Sequence, residues 1–336
     1  MTNFKQYFRA HLKDNIKTFI YITLAITILT FLFAINGQPT FYYEGKEKII
    51  TYNTLLFVPV VLMCIVIYIL PVLEFSFFKK RINLDCVYAL PISRRAMGAV
   101  HYLTGLIMLW CAFTASYLTN FILLLSRGPG YFEFSPMIDH YFLCLALGFA
   151  IYSFLVFVFN EANTKGDGIW FMFLYTFVLI LPMNSIINLI GANNHDDLQY
   201  TIPWMVFDKL NTEYQNLVSI RSEDKMLFSE SSVCIFWYVF WMVVGIASAI
   251  GFFITFGKRR MEKTEEISSS YFGFRLLIPV YAISAMIALK TVSSTIIWFV
   301  IVEVLTFIGY TIYRRGFHFK KIDIAVLCAL AIFMLI

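Results

Sequence analysis

Ionisable side chains within apolar stretches are the first residues in this sequence that suggest chemistry. A charge placed in hydrocarbon is costly, so such a group usually serves a function or has a specific partner. Glu303 lies in the middle of an apolar run, and Glu74 and His101 flank the polar segment 74–98. Glu303 is a candidate proton site. We favour a hydrogen bond to another helix instead, because a proton-coupled transporter normally has several such groups at mid-depth.

The other residues that could catalyse a reaction or bind metal are dispersed along the chain. Neither H-E-x-x-H nor G-x-S-x-G occurs, although an intramembrane enzyme built from residues distant in sequence stays an alternative. The six cysteines form no C-x-x-C pair, and we interpret them as free thiols in helices. No metal site is predicted, because the five histidines, His11, His101, His140, His195 and His318, are scattered along the chain.

The sequence also predicts no nucleotide site within this chain. A P-loop needs G-x-x-x-x-G-K-[ST] after a strand, so that backbone N–H groups surround the phosphates. The nearest approach runs from Gly251 to Gly257 and Lys258, where the spacing is too long and Arg259 replaces the Ser or Thr that would hold Mg²⁺. We therefore expect that the chain is not an enzyme and binds no cofactor itself.

Composition places the chain in a membrane. Apolar residues make up 60% and charged residues 14% of it, against about 45–50% and about 25% in soluble domains. The aromatic residues are 36 Phe, 20 Tyr and 6 Trp. So little charge could not cover so much apolar surface, which excludes a soluble enzyme, a disordered chain and a fibrous protein. The net charge of +5 gives no indication of nucleic-acid binding.

The apolar runs predict an all-α polytopic membrane protein. A helix needs about 20 apolar residues to cross the bilayer. Six runs meet this need within residues 1–256, and a polar joint begins at 257. Two or three extra C-terminal helices then follow to residue 336. The six runs are 18–35, 54–73, 99–125, 140–159, 169–190 and 233–256, and the later ones are 276–289, 293–312 and the short 322–336, which carries Asp323.

The distribution of basic residues predicts the orientation. If successive loops alternate between the two sides, 19 of the 26 Lys and Arg residues fall on the side that holds the N-terminus. This asymmetry predicts a cytoplasmic N-terminus. The long charged lead and the absence of an A-x-A site argue against a cleaved signal. The lead predicts an amphipathic helix on the inner leaflet, or else a plain basic anchor, from Phe4, Lys5, Phe8, Arg9, Leu12, Lys13, Ile16 and Lys17.

The longest segment on the opposite side is 191–232. It carries seven acidic residues around an apolar centre that begins at Ile202. We interpret it as short helices on the outer membrane surface. Solvated loop acids are the favoured interpretation of its charges, and attraction of cationic substrates is the alternative.

The segment 74–105 is the most informative part of the sequence. A short amphipathic helix is predicted over 82–90, with Ile82 and Leu90 on one side. Pro91 ends this helix, and Ser93 is placed to cap the next one, which begins at Arg94. A rigid helix at right angles to two spans could transmit a push from a cytosolic partner to the membrane. The alternative is an ordinary basic loop.

The run Leu-Pro-Ile-Ser-Arg-Arg from Leu90 to Arg95, followed by His101-Tyr-Leu-Thr-Gly-Leu, resembles the signature of ABC-2 type transporter permeases between their second and third spans. The context from Phe75 to Asp85 is similar to a Ytr-like Firmicutes subgroup that has extra C-terminal helices. The later sequence around Glu303 and from Tyr313 resembles the same subgroup. His101 departs from the Lys or Asn of many members.

The resemblance implies a six-helix ABC-2 type unit that serves as a permease of an ATP-driven exporter in the bacterial cell membrane. It implies a separate ABC ATPase that binds ATP and Mg²⁺, a second permease copy or paralogue, contact with membrane lipids, and no nucleic acid. The cargo class would be amphipathic peptides, antibiotics or other lipophilic compounds. Contact with the ATPase is expected through the coupling residues Asp85, Tyr88, Leu90, Pro91, Ser93, Arg94 and Arg95.

Two functions of other classes stay open. An ion-coupled secondary transporter would depend on Glu303 and an ion gradient. A peptide-sensing or immunity scaffold would bind a peptide without moving it and without a response to ATP.

Overall fold

The computed structural model is almost wholly helical. It describes residues 2–36, 40–44, 47–51, 53–82, 91–126, 134–183, 185, 196–218, 232–258, 264–266, 268, 270–292, 296–314 and 316–335. These residues form two compact units. The first comprises Met1–Phe157 and Pro203–Arg259, and the second comprises Val158–Ile202 and Arg260–Ile336.

The helices have the following bounds. Those that lie in or begin in the first unit are α1 Thr2–Asn36, α2 Asn53–Phe75, α3 Arg94–Ser126, α4 Phe134–Glu161, α6 Pro203–Val218 and α7 Ser232–Lys258. Those of the second unit are α5 Lys165–Phe173, α8 Phe274–Val292, α9 Ile296–Arg314 and α10 Lys321–Leu335. A 3₁₀ turn follows α2 at Ser76–Lys79, a π-helical turn extends α5 over Leu174–Val178, and a further 3₁₀ turn covers Asp196–Thr201.

Among the described residues, seven helical stretches are long and apolar enough to cross a membrane. They match the six predicted spans and the predicted span 293–312, although 184, 186–190 and 293–295 within these predictions lie outside the described residues. The run at 276–289 corresponds to the shorter apolar helix Phe274–Leu289. The last run forms α10, whose 15 residues extend about 22 Å at 1.5 Å per residue. That length is less than the hydrocarbon core of about 30 Å.

The N-terminal helix differs from the expectation of a separate surface helix. The amphipathic lead and the first span form the single 35-residue helix α1. The sequence contains no Gly or Pro between Thr2 and Asn36, so nothing interrupts the helix before Gly37 and Pro39. The helix is about 52 Å long and therefore exceeds the hydrocarbon core by about 20 Å.

A two-stranded antiparallel hairpin, β1 Thr40–Glu44 and β2 Glu47–Thr51, was not predicted. It pairs Thr40 with Thr51 and Glu44 with Glu47. Phe, Tyr, Ile and Thr dominate both strands, and these residue types favour extended backbone. The hairpin is the exception to an otherwise helical set of described residues.

Within the first unit, α1 packs along α3, and α2 packs against both. The hydroxyls of Thr30 on α1 and Ser116 on α3 lie 2.5 Å apart. The predicted outer segment 191–232 is helical over Pro203–Val218, which forms α6, and residues 191–195 and 219–231 of it lie outside the described residues. Its buried residues Val206, Phe207 and Leu210 belong to the helix that packs against α2 and α7. The apolar centre of this segment therefore contributes to the core.

The second unit brings the fifth span together with the C-terminal helices. The Tyr175 hydroxyl donates to the carbonyl of Phe272 at 2.8 Å, and the Tyr281 hydroxyl donates to the carbonyl of Leu174 at 2.8 Å. Ser268 and Ser270 both bond to Glu161 at the end of α4. The helices α8, α9 and α10 share a core of Ala282, Met286, Phe299 and Leu330. The predicted joint at 257 lies near the end of the first unit, but the grouping of 158–202 with the C-terminal helices was not foreseen.

Candidate functional site

Three helices of the first unit bring a carboxylate and two imidazoles together. His11 of α1 places Nε2 at 2.9 Å from Oε2 of Glu74 on α2. His101 of α3 places Nδ1 at 3.1 Å from the same oxygen. The two imidazole centroids are 4.0 Å apart. We call His11, Glu74 and His101 the His–Glu–His cluster.

The local structure explains why these side chains meet. Tyr7, His11 and Asn15 are spaced by four residues, so they lie on one face of α1. Glu74 is in the last turn of α2, and His101 is in the second turn of α3. The N-terminal end of α1 therefore meets the C-terminal end of α2 and the N-terminal end of α3. If the first three spans alternate in direction, as predicted, these three ends lie on the same side of the membrane.

The surroundings of the cluster are apolar. Glu74 and His101 are each 6% exposed. The Phe78 ring meets the His101 ring edge to face at 4.8 Å, and Phe78 in turn meets Phe256 of α7 at 5.3 Å. A side chain at Gly105 would meet the Tyr152 hydroxyl first and would also lie 3.3 Å from Cγ of Glu74, so this glycine leaves room for both side chains. These aromatic rings shield Glu74 and His101 from water and strengthen the electrostatic interactions between them, whereas His11 lies at a partly exposed margin.

The hydrogen-bonding capacity of the cluster restricts its chemistry. An ionised carboxylate only accepts, so each imidazole must present an N–H toward Glu74 Oε2. The second ring nitrogen of His101, Nε2, lies 3.2 Å from the Tyr7 hydroxyl. With a neutral His101 that donates through Nδ1, the tyrosine hydroxyl donates to Nε2. The arrangement can hold a proton or a metal cation between helices, and it contains no nucleophile with an adjacent base.

A second buried polar group connects α3, α4 and α6. His140 places Nδ1 at 3.1 Å from the Tyr117 hydroxyl and Nε2 at 2.9 Å from Oδ1 of Asn211. The Tyr117 hydroxyl also donates to the carbonyl of Met137 at 2.9 Å. His140 is fully buried. These bonds hold α6 against the bundle, and we assign the group a structural role.

The second unit contains an apolar cavity of about 830 Å³ between α5, α8 and α9. Its lining is almost entirely hydrocarbon and aromatic, with Trp170, Leu277 and Leu305 among the lining residues. Thr164 caps α5 at one margin by accepting from the Asp167 N–H at 3.0 Å. A cavity of this kind suits an apolar ligand such as an acyl chain, although nothing in it selects one ligand.

The predicted coupling residues lie at the start of α3, where they are described. Ser93 Oγ accepts a bond from the Ala96 N–H at 3.3 Å, and α3 begins at Arg94, so the predicted cap is confirmed. Pro91, Ser93 and Arg95 are exposed, and Arg94 is partly buried. The predicted coupling residues Asp85, Tyr88 and Leu90, and the predicted helix 82–90 beyond Ile82, lie outside the described residues.

Arg95 connects two helices at this end of the unit. A side chain at Gly257, near the end of α7, would meet Cγ of Arg95 at 2.8 Å and its Nε at 2.9 Å. The aliphatic stem of Arg95 therefore crosses α7 where only a glycine leaves room. The start of α3 and the end of α7 are in direct contact through this residue.

The remaining predicted residues are placed as follows. On α1, Lys5, Arg9 and Lys13 are exposed and Phe8 and Leu12 are half-buried. Of the predicted apolar stripe on α1, Phe4 is 36% and Ile16 is 50% exposed. The face toward the cluster is instead the one that carries Tyr7 and His11. Glu303 is half-buried on α9.

The three side chains that could hold a metal ion come from three helices. The ligand atoms of His11, Glu74 and His101 all lie within 4.8 Å of one another. The prediction of no metal site took the histidines as scattered along the chain and did not consider which side chains meet in space. The available signals were the position of Glu74 and His101 at the two ends of one loop and the spacing of Tyr7, His11 and Asn15.

Comparison with protein-family models, with curated proteins and with solved structures finds no match to this chain. The class that the fold defines is a multi-pass helical membrane protein, with seven candidate spans in the part of the chain that the structure describes. Any narrower assignment depends on the motif from Leu90 to Arg95 and on the order of the elements.

Proposed function

We propose that this chain is the membrane-spanning subunit of an ATP-driven ABC exporter of the ABC-2 type. The observation that carries the proposal is the start of α3. There, exposed Pro91, capping Ser93 and exposed Arg95 follow directly on the segment between the second and third spans. This is the position at which the motif resembles the coupling segment of ABC-2 permeases.

The contact of Arg95 with Gly257 supports a mechanical role for this segment. A force applied at the start of α3 acts on α7 through the Arg95 stem. It also acts on α1 and α2, because both pack against α3. An ATPase that closes on ATP would thus move several spans together, which is the rigid-body kind of transition that packed helices permit.

The remaining features of the proposal follow from the exporter class. A separate ABC ATPase binds ATP and Mg²⁺ and hydrolyses the nucleotide, and two permeases, identical or related, pair to form the path. The cargo is an amphipathic peptide, an antibiotic or another lipophilic compound. The protein resides in the bacterial cytoplasmic membrane with its N-terminus inside, since the basic loops fall on that side.

The test is co-purification in mild detergent from the native membrane, followed by mass spectrometry and an ATPase assay. The wild type should retain an ABC ATPase. Replacing both Arg94 and Arg95 with Glu should reduce the retained ATPase at least about tenfold, because two charges reverse where the partner docks. Membrane insertion and the gel-filtration profile should remain unchanged.

The matched control is Lys165→Glu with Lys321→Glu. It changes the charge equally at exposed positions on the same predicted side, and it should retain the ATPase. Arg95→Gln keeps the stem over Gly257 and serves as the mild variant. Equal ATPase yield from the double Arg variant and the control would contradict the coupling role, as would a permease that always purifies alone.

One observation favours the ion-coupled alternative, namely the burial of Glu74 between two histidines. Uptake assays in inverted membrane vesicles distinguish the exporter from the ion-coupled transporter. Uptake that needs ATP and persists when ionophores collapse the gradients supports the exporter. Uptake that needs a gradient and is indifferent to ATP supports ion coupling.

A further inference from the structure

We propose that the His–Glu–His cluster is a binding site for one divalent transition-metal ion, best suited to Zn²⁺. His11 Nε2, Glu74 Oε2 and His101 Nδ1 would be its three protein ligands. The proposal goes beyond the exporter function and does not depend on it, because all three ligands come from this chain.

The geometry of the three atoms is close to that of a coordination shell. Ligands at about 2.0–2.2 Å from zinc at tetrahedral angles lie about 3.3–3.5 Å apart. Glu74 Oε2 lies 2.9 Å from His11 Nε2 and 3.1 Å from His101 Nδ1. The ligand nitrogens of His11 and His101 lie within 4.8 Å of each other, so binding of the ion would adjust the two imidazoles toward tetrahedral positions around it. The set also leaves a fourth position free for water or another small ligand.

The ligand chemistry favours zinc over the alkaline-earth cations. Two imidazoles and one carboxylate are ligands that zinc accepts readily, whereas Mg²⁺ and Ca²⁺ prefer oxygen alone. Glu74 is 6% exposed and lies in an aromatic environment, where an unpaired carboxylate is costly. A dication there would compensate the carboxylate, and both histidines could bind it as neutral imidazoles.

Outer contacts hold the ligands in position. Ring nitrogens that bind metal are usually oriented by a hydrogen bond to the other ring nitrogen. The Tyr7 hydroxyl is 3.2 Å from His101 Nε2, so with the metal on Nδ1 the Nε2–H donates to this oxygen. The Asn15 amide nitrogen lies 3.3 Å from His11 Nδ1 and 3.1 Å from Nε2, and it donates to the His11 carbonyl at 3.1 Å, so Asn15 packs against this imidazole.

The consequence of binding is that α1, α2 and α3 are joined at one end. Each helix contributes one ligand, and the ligands are separated by 63 and 27 residues in sequence. A bound ion therefore stabilises the packing of the first three spans, and the protein without the ion should be less stable.

The test uses the full chain in detergent, purified through a tag that contains no histidine, stripped with a chelator and titrated with Zn²⁺ by calorimetry. We expect one ion for each chain. His11→Ala and His101→Ala should each weaken binding by more than about 100-fold, because removal of an outer partner alone costs about 10–100-fold. Tyr7→Phe should fall in that lower range.

Controls separate this site from other ligands in the chain. His318→Ala removes an exposed histidine and should leave the affinity unchanged. Cysteines are the other zinc ligands, so Co²⁺ is used as a spectroscopic probe. Bands of nitrogen and oxygen coordination should appear in the wild type and vanish in His11→Ala, whereas thiolate charge-transfer bands that persist in this variant would overturn the proposal.

The melting temperature tests the proposal with variants that fold poorly. Zn²⁺ should raise the melting temperature of the wild type and of His318→Ala, and not that of His11→Ala, whose side chain lies at the partly exposed margin of the cluster. No stabilisation of the wild type, or equal stabilisation of the wild type and His11→Ala, would show that the cluster holds only protons.

Discussion

Arg314 and Asp323 form the best-defined ion pair among the described residues. Arg314 Nε and Nη2 donate to the two carboxylate oxygens of Asp323, each at 2.8 Å, and the Lys320 N–H donates to Oδ2 at 2.9 Å. The Asp323 side chain is 4% exposed. Burial raises the pKa of Asp323, but the hydrogen bonds from Arg314 and from the Lys320 N–H outweigh it, so the pKa lies below its ordinary value. The pair therefore fixes the end of α9 to the start of α10.

Asp323→Asn should destabilise the second unit by about 1–3 kcal/mol, because Arg314 loses a charged hydrogen-bond partner. Since the pKa of Asp323 is lowered in the folded state, the ionised pair stabilises the protein above the ordinary pKa of aspartate. This contribution is lost as the pH falls through the lowered pKa. Thermal melting in detergent at neutral and acidic pH should show a smaller acid-induced loss for Asp323→Asn than for the wild type.

Lys321→Ala is the control for this prediction, because Lys321 is an exposed cation near Asp323, whereas the charge of Lys320 itself lowers the pKa of Asp323. The melting temperature of Lys321→Ala should follow that of the wild type at every pH. An Asp323→Asn variant with wild-type stability and wild-type pH dependence would contradict the assigned role of the pair.

The role of a single residue could be predicted from the sequence where it depends only on neighbouring residues in the chain. Ser93 caps α3 because a cap depends on a few consecutive residues. Glu74 and His101 attracted attention because they end one loop, but His11 did not, since its partners stand on two other helices. The pairing of Asp323 with Arg314 was not foreseen either, because it depends on how α9 and α10 meet.

The helices α4 and α7 approach backbone to backbone at Gly245. A side chain at Gly245 would collide with the backbone of Ala150. Small residues at such a contact let two backbones approach, and van der Waals packing drives much of the association of helices in lipid. The contact therefore sets the distance between these two spans.

Gly245→Val should separate α4 from α7 and lower the yield of monodisperse protein, with a destabilisation of about 1–3 kcal/mol from overpacking. Thermal stability in detergent measures this effect. Gly309→Ala is the matched control in a span, because a side chain at Gly309 meets nothing within 4 Å. It should be neutral or slightly stabilising. Equal behaviour of the two variants would show that the α4–α7 contact is not tight.

The spans were predictable as elements because hydrophobic length alone defines them. The continuity of α1 was not, since an amphipathic lead and an apolar span look like two segments until the absence of Gly and Pro between them is considered. The hairpin 40–51 was missed because short strands among long apolar runs give a weak signal.

At the scale of the whole molecule, the two compact units do not follow the division that the sequence predicts. The polar joint near 257 suggested a simple division into 1–256 and the rest. The second unit instead begins at Val158 and includes the fifth span. Such a division depends on tertiary hydrogen bonds such as that from Tyr281 to Leu174, and no local pattern encodes them.

The distribution of Lys and Arg predicts the orientation of the whole molecule. A fluorescent protein at the N-terminus should fluoresce in the cytoplasm, because 19 of the 26 basic residues fall on that side. Alkaline phosphatase fused after Ser126 should be active, and the same enzyme fused after Glu161 should be inactive. The opposite pattern for the two phosphatase fusions would mean that the predicted orientation is wrong and that the Arg94–Arg95 pair lies outside the cell.

The three-helix origin of the His–Glu–His cluster has a consequence for biosynthesis. The chain is made from its N-terminus, and the early parts of a protein generally fold first. His11 and Glu74 therefore leave the ribosome well before His101 completes the set. Until α3 is inserted, the buried carboxylate has only one of its two imidazole partners. Completion of the cluster thus marks the moment at which the first three spans have reached their final arrangement, while more than half of the chain is still to be synthesised.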